Sequence, residues 1–492
     1  MRRGAMLNAY PDSIGGTLSN AVKWLRHPAV EQVFDSFYLL PSMYTSDLDR
    51  GFSIISYDLD EGLATMDDFA VLGNMGISLK LDFVLNHAST QSPEFMDLLE
   101  KGDSSTYRDF FIDWNKFWEG HGEMTDDGYI QPHPHLLEKM HFRKPGLPLL
   151  MVAMWDGTKK PYWNTFYQEE QTIDGKTRYL GQMDLNIISS LVWDFYDKVL
   201  QKLASYGGEI VRLDAFAYAS KIPGRRNFLN EPETWELLEK VRAMADKYNL
   251  RLLPEIHAEY RAKTHEQLAE KGYTTYDFFL PGLLIHAIEK HNCEYLLKWT
   301  NEIIDKGIST INMLGCHDGI PLLDLKGLLP DEEIESIIDT VVSRGGIVKD
   351  LSGSKATYYQ VNATYFSALG ENEPKMLLAR AIQVFMPGIP QVWYLDLAGG
   401  KNDYDAAKGT DRHKEINRTN LTLSQMNACL QEPLTKKQLE LLRFRKNQEA
   451  FGPGAKITAS GEGHILRIEW ETDGKFAKLT ANLRDYTYTI QT

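Results

Sequence analysis

The chain has 492 residues, of which 43% are apolar and 25% are charged, a composition typical of a globular protein. Its net charge of −15 argues against a surface that binds nucleic acid or anionic membranes. The three cysteines are scattered and odd in number, which argues against a disulfide framework, and no apolar run predicts a membrane span. We therefore expect a cytoplasmic protein without nucleic-acid or membrane partners.

Short apolar runs of β type alternate along the chain with segments of helical spacing. Strands are predicted at residues 6–10, 36–40, 78–85, 210–213, 251–256, 274–280, 309–315 and 391–395. Helices are predicted between them, at residues 18–25, 66–74, 191–206, 233–248 and 375–385. Eight strands that alternate with helices are typical of an α/β protein with a (β/α)8 TIM barrel.

Two connections are too long to be ordinary loops of such a barrel. The first predicts an inserted lobe after strand 3 (domain B, residues 89–182), and the second predicts an insertion after strand 7 (residues 319–367). After a predicted helix at 434–447, alternating residues indicate a small C-terminal β domain at 449–492. The barrel is then assigned to residues 1–88, 183–318 and 368–448.

The segment 209–218, EIVRLDAFAY, places charged residues at the end of a buried strand. A carboxylate in that position is costly to keep charged unless it is paired, and Arg212 lies two residues before Asp214. The arrangement suits an ionised nucleophile held by a cation. A buried Arg–Asp pair that only fixes the strand end fits the same pattern.

Acidic residues also follow two other predicted strands. Asp214, Glu255 and Asp318 fall at or just past the ends of the fourth, fifth and seventh strands, and in a closed barrel these ends meet in one pocket. Three acids in one cleft cannot all ionise cheaply, so their pKa values should be pushed apart. Glycoside chemistry uses such a difference, because one carboxylate attacks or stabilises while another donates a proton.

Several segments resemble a known family. DFVLNH (82–87), RLDAFAY (212–218), LPEIH (253–257) and CHD (316–318) are similar to the four ordered signatures of the α-amylase family, family 13 of glycoside hydrolases. More narrowly, the chain resembles the sucrose phosphorylase subfamily in DRGF (49–52), GYTTYDFFLP (272–281), HDGIP (317–321), PGIPQVWY (387–394) and EINR (415–418). The resemblance covers nearly the whole chain in the correct order.

The resemblance implies a role for each matching residue. Asp214 is expected to be the nucleophile that forms a β-glucosyl ester, Glu255 the general acid and then the base, and Asp318 the partner of the sugar 2- and 3-hydroxyls. The other implied sugar-binding residues are Asp49, Phe52, His87, Gln182, Arg212, Tyr218, His257, His317 and Arg418, of which the first and the last clamp O4. For His257 we favour a position behind the sugar.

Phosphate is the acceptor that the subfamily resemblance implies. Arg143 matches a loop arginine that meets phosphate, and Tyr359 and Gln360 match a mobile loop on the other side of the cleft. A guanidinium suits a tetrahedral oxyanion. We therefore predict a retaining α-glucosyl phosphorylase that gives α-D-glucose 1-phosphate. Inorganic phosphate is its co-substrate, and we expect no metal, no other cofactor, and a monomer or homodimer.

The leaving group stays open, because the chain departs from the subfamily on the acceptor side. Thr357 stands where an aspartate is usual, Thr419 where a histidine is common, and residues 42–47 replace a turn rich in proline and phenylalanine. Fructose, fructose 6-phosphate, glycerol and glycerate all remain as acceptors, and Lys144 could serve an anionic one. The alternatives are a hydrolase or transglucosylase on the same fold and a barrel without catalytic activity.

Overall fold

Eight parallel strands form the central sheet in the computed structural model, which describes residues 3–173, 176–350, 358–409 and 413–492. Strands β1 to β8 span Ala5–Ala9, Phe34–Leu39, Ser78–Val84, Gly208–Asp214, Arg251–Pro254, Thr275–Asp277, Thr310–Met313 and Ile389–Trp393. Their hydrogen-bonded order is β5-β4-β3-β2-β1-β8-β7-β6, so successive strands are neighbours and β5 and β6 meet at the seam. The predicted (β/α)8 barrel is confirmed.

The strand ends lie within three residues of their predicted positions, and a local turn explains the difference for two strands, β6 and β8. β6 ends at Asp277, since the Asp277 carboxylate accepts the backbone N–H groups of Phe279 and Leu280 (3.2 and 3.0 Å) and starts a helix there. β8 begins two residues before its predicted start, because Gly388 turns the chain at φ +100° and leaves Ile389 free to pair.

Helices alternate with the strands and pack on the sheet through one apolar face. The helix Ser190–Ser205 is an example, because its buried positions recur every three or four residues. The helices of the barrel span Leu18–Leu25, Met66–Asn74, Ser190–Ser205, Glu233–Asp246, Thr264–Glu270, Leu280–Lys290, Glu294–Lys306, Glu373–Phe385, Tyr394–Ala398, Leu423–Cys429 and Pro433–Asn447.

The connection between β3 and β4 folds into hairpins and short helices with a small core of their own. Its strands are His87–Ser89, Gly122–Met124, Ile130–Pro132, Leu149–Ala153, Lys159–Trp163, Gln168–Ile173 and Lys176–Asp184, and its helices are Pro93–Lys101, Trp114–Phe117 and Pro134–Leu137. The core contains Ile112, Trp114, Trp118, Met140 and Trp163. The last strand, Lys176–Asp184, pairs with His87–Ser89 and returns the chain to the end of β3.

The connection after β7 is shorter and mixed. It contains the helices Asp331–Ser343 and Tyr365–Ala368 and a sheet of Ile320–Pro321, Ile347–Asp350 and Tyr358–Asn362. An antiparallel pair, Tyr44–Ser46 and Ile54–Leu59, follows β2, and the C-terminal sheet consists of Lys456–Glu462, Ile465–Thr472, Lys475–Asn482 and Thr487–Gln491. Among the described residues, no helix has the length and apolar character needed to cross a membrane.

Candidate active site

The carboxyl ends of the barrel strands bring the predicted acids to one edge. Asp214 is the last residue of β4, Glu255 follows β5 directly, and Asp318 lies five residues past the end of β7. After Asp214 the backbone turns sharply, because Ala215 adopts the left-handed conformation (φ +53°) that a residue with a Cβ rarely takes. This turn ends the strand at the carboxylate and leads into the 3-10 turn Phe216–Tyr218.

A single guanidinium holds the two carboxylates of the predicted catalytic pair. Arg212 Nη1 lies 2.9 Å from Asp214 Oδ1 and 2.5 Å from Asp82 Oδ1, and Nη2 lies 2.5 Å from Glu255 Oε1. The arginine side chain is only 3% exposed, so water screens these contacts little. One cation therefore fixes three carboxylates on the neighbouring strands β3, β4 and β5.

The shared cation makes the protonation of Asp214 and Glu255 interdependent. Burial raises the pKa of Asp214 well above its usual range, and the neighbouring Glu255 and Asp82 carboxylates add to the rise. Burial also acts to raise the pKa of Glu255, but Arg212 and His257 outweigh it, so that pKa is lowered. The pKa values of the two acids are therefore pushed in opposite directions, that of Asp214 upward and that of Glu255 downward.

Asp318 is held as an anion by two cations and a histidine. Its carboxylate lies 3.1 Å from His317 Nε2, 2.6 Å from Lys414 Nζ and 3.7 Å from Arg418 Nη2. Burial opposes ionisation, yet these groups keep the pKa of Asp318 well below its usual range. Of the three acids in the pocket, Asp318 is thus the firmly ionised one.

Asp49 and Arg418, the two residues expected to clamp O4, form an ion pair beside Asp318. Arg418 Nη1 lies 3.3 Å from Asp49 Oδ1, and Arg418 is itself fixed by donating to the backbone oxygen of His317 (2.8 Å). Asp49 and Arg50 both have positive φ (50° and 47°), so the DRGF turn is held in an unusual conformation. Phe52 ends this turn and stacks on His317, with ring centroids 5.2 Å apart.

His87 and Gln182 converge on one backbone oxygen beside this turn. His87 Nε2 and Gln182 Nε2 both donate to the carbonyl of Phe52, at 3.1 and 3.2 Å. Burial lowers the pKa of His87 to about 4, which leaves the imidazole neutral. The contact brings residues from the β2 and β3 connections to the same wall as the phenyl ring.

The residues predicted to meet phosphate divide into two groups. The Arg143 guanidinium lies 5.9 Å from the ring centroid of Tyr218 and 5.7 Å from that of Phe166, which places it at the rim near β4. Gln360 is buried and pairs with Pro321, three residues beyond Asp318. Tyr359 is described only through its backbone, in the strand Tyr358–Asn362, and Thr357 lies outside the described residues.

Two lysines in the site were missed from the sequence. Lys414, in the 3-10 helix His413–Asn417, places its ammonium between Asp318 and Asp49, 3.7 Å from the Asp49 carboxylate. The only signal in the sequence is its position four residues before Arg418. Lys144, for which the sequence favours a solvated loop position over contact with an anionic acceptor, donates to Asn164 inside the lobe, and burial lowers its pKa to about 8.

The second missed lysine joins the lobe to the barrel. The Lys221 ammonium contacts the Asp184 carboxylate at 2.7 Å, the Asn86 amide oxygen at 3.1 Å and the Tyr218 backbone oxygen at 2.6 Å. Its side chain is 2% exposed, and the partner aspartate is fully buried. One cation therefore connects the residue before His87, the segment after Asp214 and the last strand of the lobe.

Similarity to known proteins extends over nearly the whole chain. A sucrose 6(F)-phosphate phosphorylase from Ilumatobacter coccineus is 52% identical over 496 residues, which cover 99% of this chain and 95% of that protein. The sucrose phosphorylase of Streptococcus mutans is 33% identical, with 99% and 96% covered. The crystal structure of sucrose 6F-phosphate phosphorylase from Thermoanaerobacter thermosaccharolyticum matches with a TM-score of 0.90 at 33% identity, over 100% of this chain and 95% of that one. No protein-family model matches.

Replacing Lys221 by methionine should destabilise the fold strongly. The change leaves the Asp184 carboxylate buried without its ion-pair partner, which costs roughly 3–5 kcal/mol in comparable cases. Denaturant unfolding of both proteins measures the difference. Lys202→Met is the matched control, because the exposed Lys202–Asp58 pair contributes about 1 kcal/mol or less. Equal losses in the two variants would contradict a special role for Lys221.

Proposed function

Because the chain belongs to the sucrose phosphorylase subfamily of the α-amylase family, a group of glucosyl phosphorylases, we propose that it cleaves sucrose 6F-phosphate with inorganic phosphate. The products are α-D-glucose 1-phosphate and fructose 6-phosphate. The observation that carries the proposal is the pair of carboxylates, Asp214 and Glu255, on one buried guanidinium. Two carboxyls at one glycosidic bond suit a double displacement with retention.

In the first half-reaction the glucosyl unit moves to the protein. An oxygen of Asp214 attacks C1, the bond from C1 to the glycosidic oxygen breaks, and Glu255 gives its proton to that oxygen. Arg212 orients Asp214 through the 2.9 Å contact and stabilises its negative charge until the ester forms. The leaving group departs as a neutral alcohol at this oxygen.

The protonation states that the reaction needs are opposite to the pKa shifts of the two acids. Arg212 lowers the pKa of Glu255 and burial raises that of Asp214, whereas the reaction needs Glu255 protonated and Asp214 ionised. Contact with the glycosidic oxygen draws Glu255 away from Arg212 Nη2. Burial then remains as the main influence on Glu255 and raises its pKa, while Arg212 keeps its contact with Asp214. Substrate binding thereby favours a protonated Glu255 and an ionised Asp214, as the reaction requires.

The remaining polar groups bind the sugar ring. The ionised Asp318 accepts hydrogen bonds from two neighbouring hydroxyls, and Asp49 with Arg418 offers an acceptor and a donor to O4. Phe52, stacked on His317, supplies a flat apolar wall for one face of the ring. To make room, the Lys414 ammonium leaves its 2.6 Å contact with Asp318.

In the second half-reaction phosphate takes the glucosyl unit. A phosphate oxygen attacks C1, the ester bond to Asp214 breaks, and Glu255 takes the proton of the attacking hydroxyl. We assign Arg143 to the phosphate, because its guanidinium lies over the Tyr218 ring at the pocket rim. Tyr359 and Gln360 are assigned to the same anion, because their strand pairs with Ile320–Pro321, directly after Asp318 in the chain.

Two features favour a phosphorylated leaving group. Thr357 replaces an aspartate that is usual in the subfamily, which removes a negative charge that would repel an anion. When sugar hydroxyls replace Lys414 on Asp318, its ammonium is released into the pocket. Burial acts to lower the pKa of Lys414, but the nearby carboxylates outweigh it and raise that pKa, so the lysine stays charged. We assign the released ammonium to the phosphate of the leaving group.

We propose that the enzyme needs no metal ion. The Lys221 ammonium already supplies a positive charge to three oxygens between lobe and barrel, where a cation is needed to join them. The three cysteines are free thiols, and with a phosphorylated substrate they favour the cytoplasm. The proposed state is a monomer or homodimer.

Glucose 1-phosphate formation should depend on phosphate. With sucrose 6F-phosphate and phosphate, the product is the α anomer, because two displacements at C1 restore its configuration. Omitting phosphate should slow donor cleavage by at least about tenfold, since water replaces a positioned anion. Phosphorus and proton NMR of the reaction mixture measure both. Glucose release at an unchanged rate without phosphate would identify a hydrolase instead.

Lys414→Met should lower the preference for the phosphorylated disaccharide. Loss of one charge-assisted contact costs about 1.5–3 kcal/mol, so the ratio of kcat/KM for sucrose 6F-phosphate over sucrose should fall roughly ten- to hundredfold. Lys408→Met is the control, since this exposed lysine pairs with Asp405 in the same connection. A wild-type enzyme that prefers sucrose would refute the leaving group and leave phosphorolysis intact. An unchanged ratio in Lys414→Met would exclude Lys414 as its partner.

A further inference from the structure

Asp324 is a buried acid close to the pocket to which the proposed reaction assigns no part. It lies in the 3-10 turn Leu323–Leu325, six residues after Asp318, and is 2% exposed. Its Oδ2 lies 3.0 Å from His257 Nδ1, and its Oδ1 accepts the backbone N–H of Ala258 at 3.3 Å. The two carboxylate oxygens of Asp324 therefore contact His257 and Ala258, which lie two and three residues after Glu255.

His257 is fixed between this carboxylate and the acid–base residue. Its Nε2 lies 3.8 Å from Glu255 Oε1, on the opposite side of the ring from Asp324. The ring also stacks on Phe278, with centroids 3.9 Å apart and planes 25° apart. Asp324, His257 and Glu255 thus form a line from the turn after β7 to the end of β5.

We infer that Asp324 is a positioning residue for Glu255, acting through His257, which it holds in one orientation with its charge facing the acid–base carboxyl. The inference rests on the proposed function, because it assigns a use to the proton donor of that reaction. It also gives a reason for the contact between the turn after Asp318 and the segment after β5. That contact fixes the positions of Glu255 and Asp318 relative to each other.

The charges around His257 support this assignment. Burial acts to lower the pKa of His257, but the carboxylates of Asp324, Glu255 and Asp318 outweigh it, so the net direction is upward. Phe278, which stacks on the ring, is apolar and adds no charge. The carboxylates that face the ring therefore favour its protonated form, with Nδ1–H donating to Asp324.

His257, held in one orientation, is one of several groups whose opposing effects set the pKa of Glu255. Burial and Asp318 raise the pKa of Glu255, whereas Arg212, His257 and His317 lower it. When substrate draws Glu255 away from Arg212, His257 remains as a cation that still limits the rise. Glu255 must release a proton in one half-reaction and take one in the other, so a pKa near the working pH favours both.

Asp324→Asn tests the inference in the full-length enzyme. The amide keeps an oxygen for the Ala258 N–H but removes the charge that keeps His257 protonated. With a neutral His257, the pKa of Glu255 rises, so the alkaline limb of kcat/KM should move to higher pH by about half a unit to one unit. We expect kcat to fall roughly tenfold or more and KM to change less than about threefold.

Asp277→Asn is the matched structural control. Asp277 is also a buried acid at a strand end, but its carboxylate binds Trp299 Nε1 and the start of the helix Leu280–Lys290. This variant should lower thermal stability and leave the pH profile unmoved. An Asp324→Asn enzyme whose profile equals that of wild type would overturn the inference.

A second variant keeps the test decisive if Asp324→Asn folds poorly. His257→Gln removes the cation directly and should move the alkaline limb in the same direction. In the double variant, the effect of Asp324→Asn on kcat should largely disappear, because it acts through His257. Full additivity of the two changes would contradict the line of contacts. If wild type forms no glucose 1-phosphate, the proposed function fails, and the same profiles read on donor hydrolysis still test Asp324.

Discussion

The contact of Arg212 with three carboxylates is the constraint on which the rest of the site depends. A buried guanidinium that faces Asp82, Asp214 and Glu255 carries one positive charge against three carboxylates, so the pKa values of Asp214 and Glu255 are pushed apart. The identity of the protonated acid then depends on which carboxylate holds the arginine most closely. In the proposed reaction, substrate binding changes that choice and so prepares a nucleophile and a proton donor in one step.

The parallel barrel supplies the geometry for this contact. Strands β3, β4 and β5 are neighbours, and their carboxyl ends place one acid each around Arg212. The loops then add cations on the other side, where Lys414 and Arg418 hold Asp318 ionised. The pocket therefore separates a group that exchanges a proton from a group that keeps its charge.

Much of this arrangement could be predicted, because short strands leave clear patterns. Asp214, Glu255 and Asp318 lie at strand ends, and eight alternations of strand and helix identify the barrel that gathers them. Lys221 could not be predicted in the same way. Its partners Asn86 and Asp184 are 135 and 37 residues away in the chain, and a flexible side chain gives no periodic signal.

The same limit applies to Asp324, whose partner His257 is 67 residues away. Contacts between loops depend on how two connections fold against each other, which the pattern of either one does not show. The bounds of β6 and β8 were wrong for a local reason, since a capping carboxylate and one glycine turn decided them. Strand ends thus indicated the acids, while their supporting groups emerged only from the three-dimensional structure.

Direct capture of the glucosyl ester would test this account of the pocket most directly. Glu255→Gln enzyme is mixed with α-D-glucosyl fluoride without phosphate, because fluoride leaves without a proton donor and the missing base slows release of the sugar. The protein is then digested and its peptides are mapped by mass spectrometry. The account predicts one glucosyl unit on Asp214. A glucosyl unit on another residue, or rapid turnover with no adduct at any time, would contradict it.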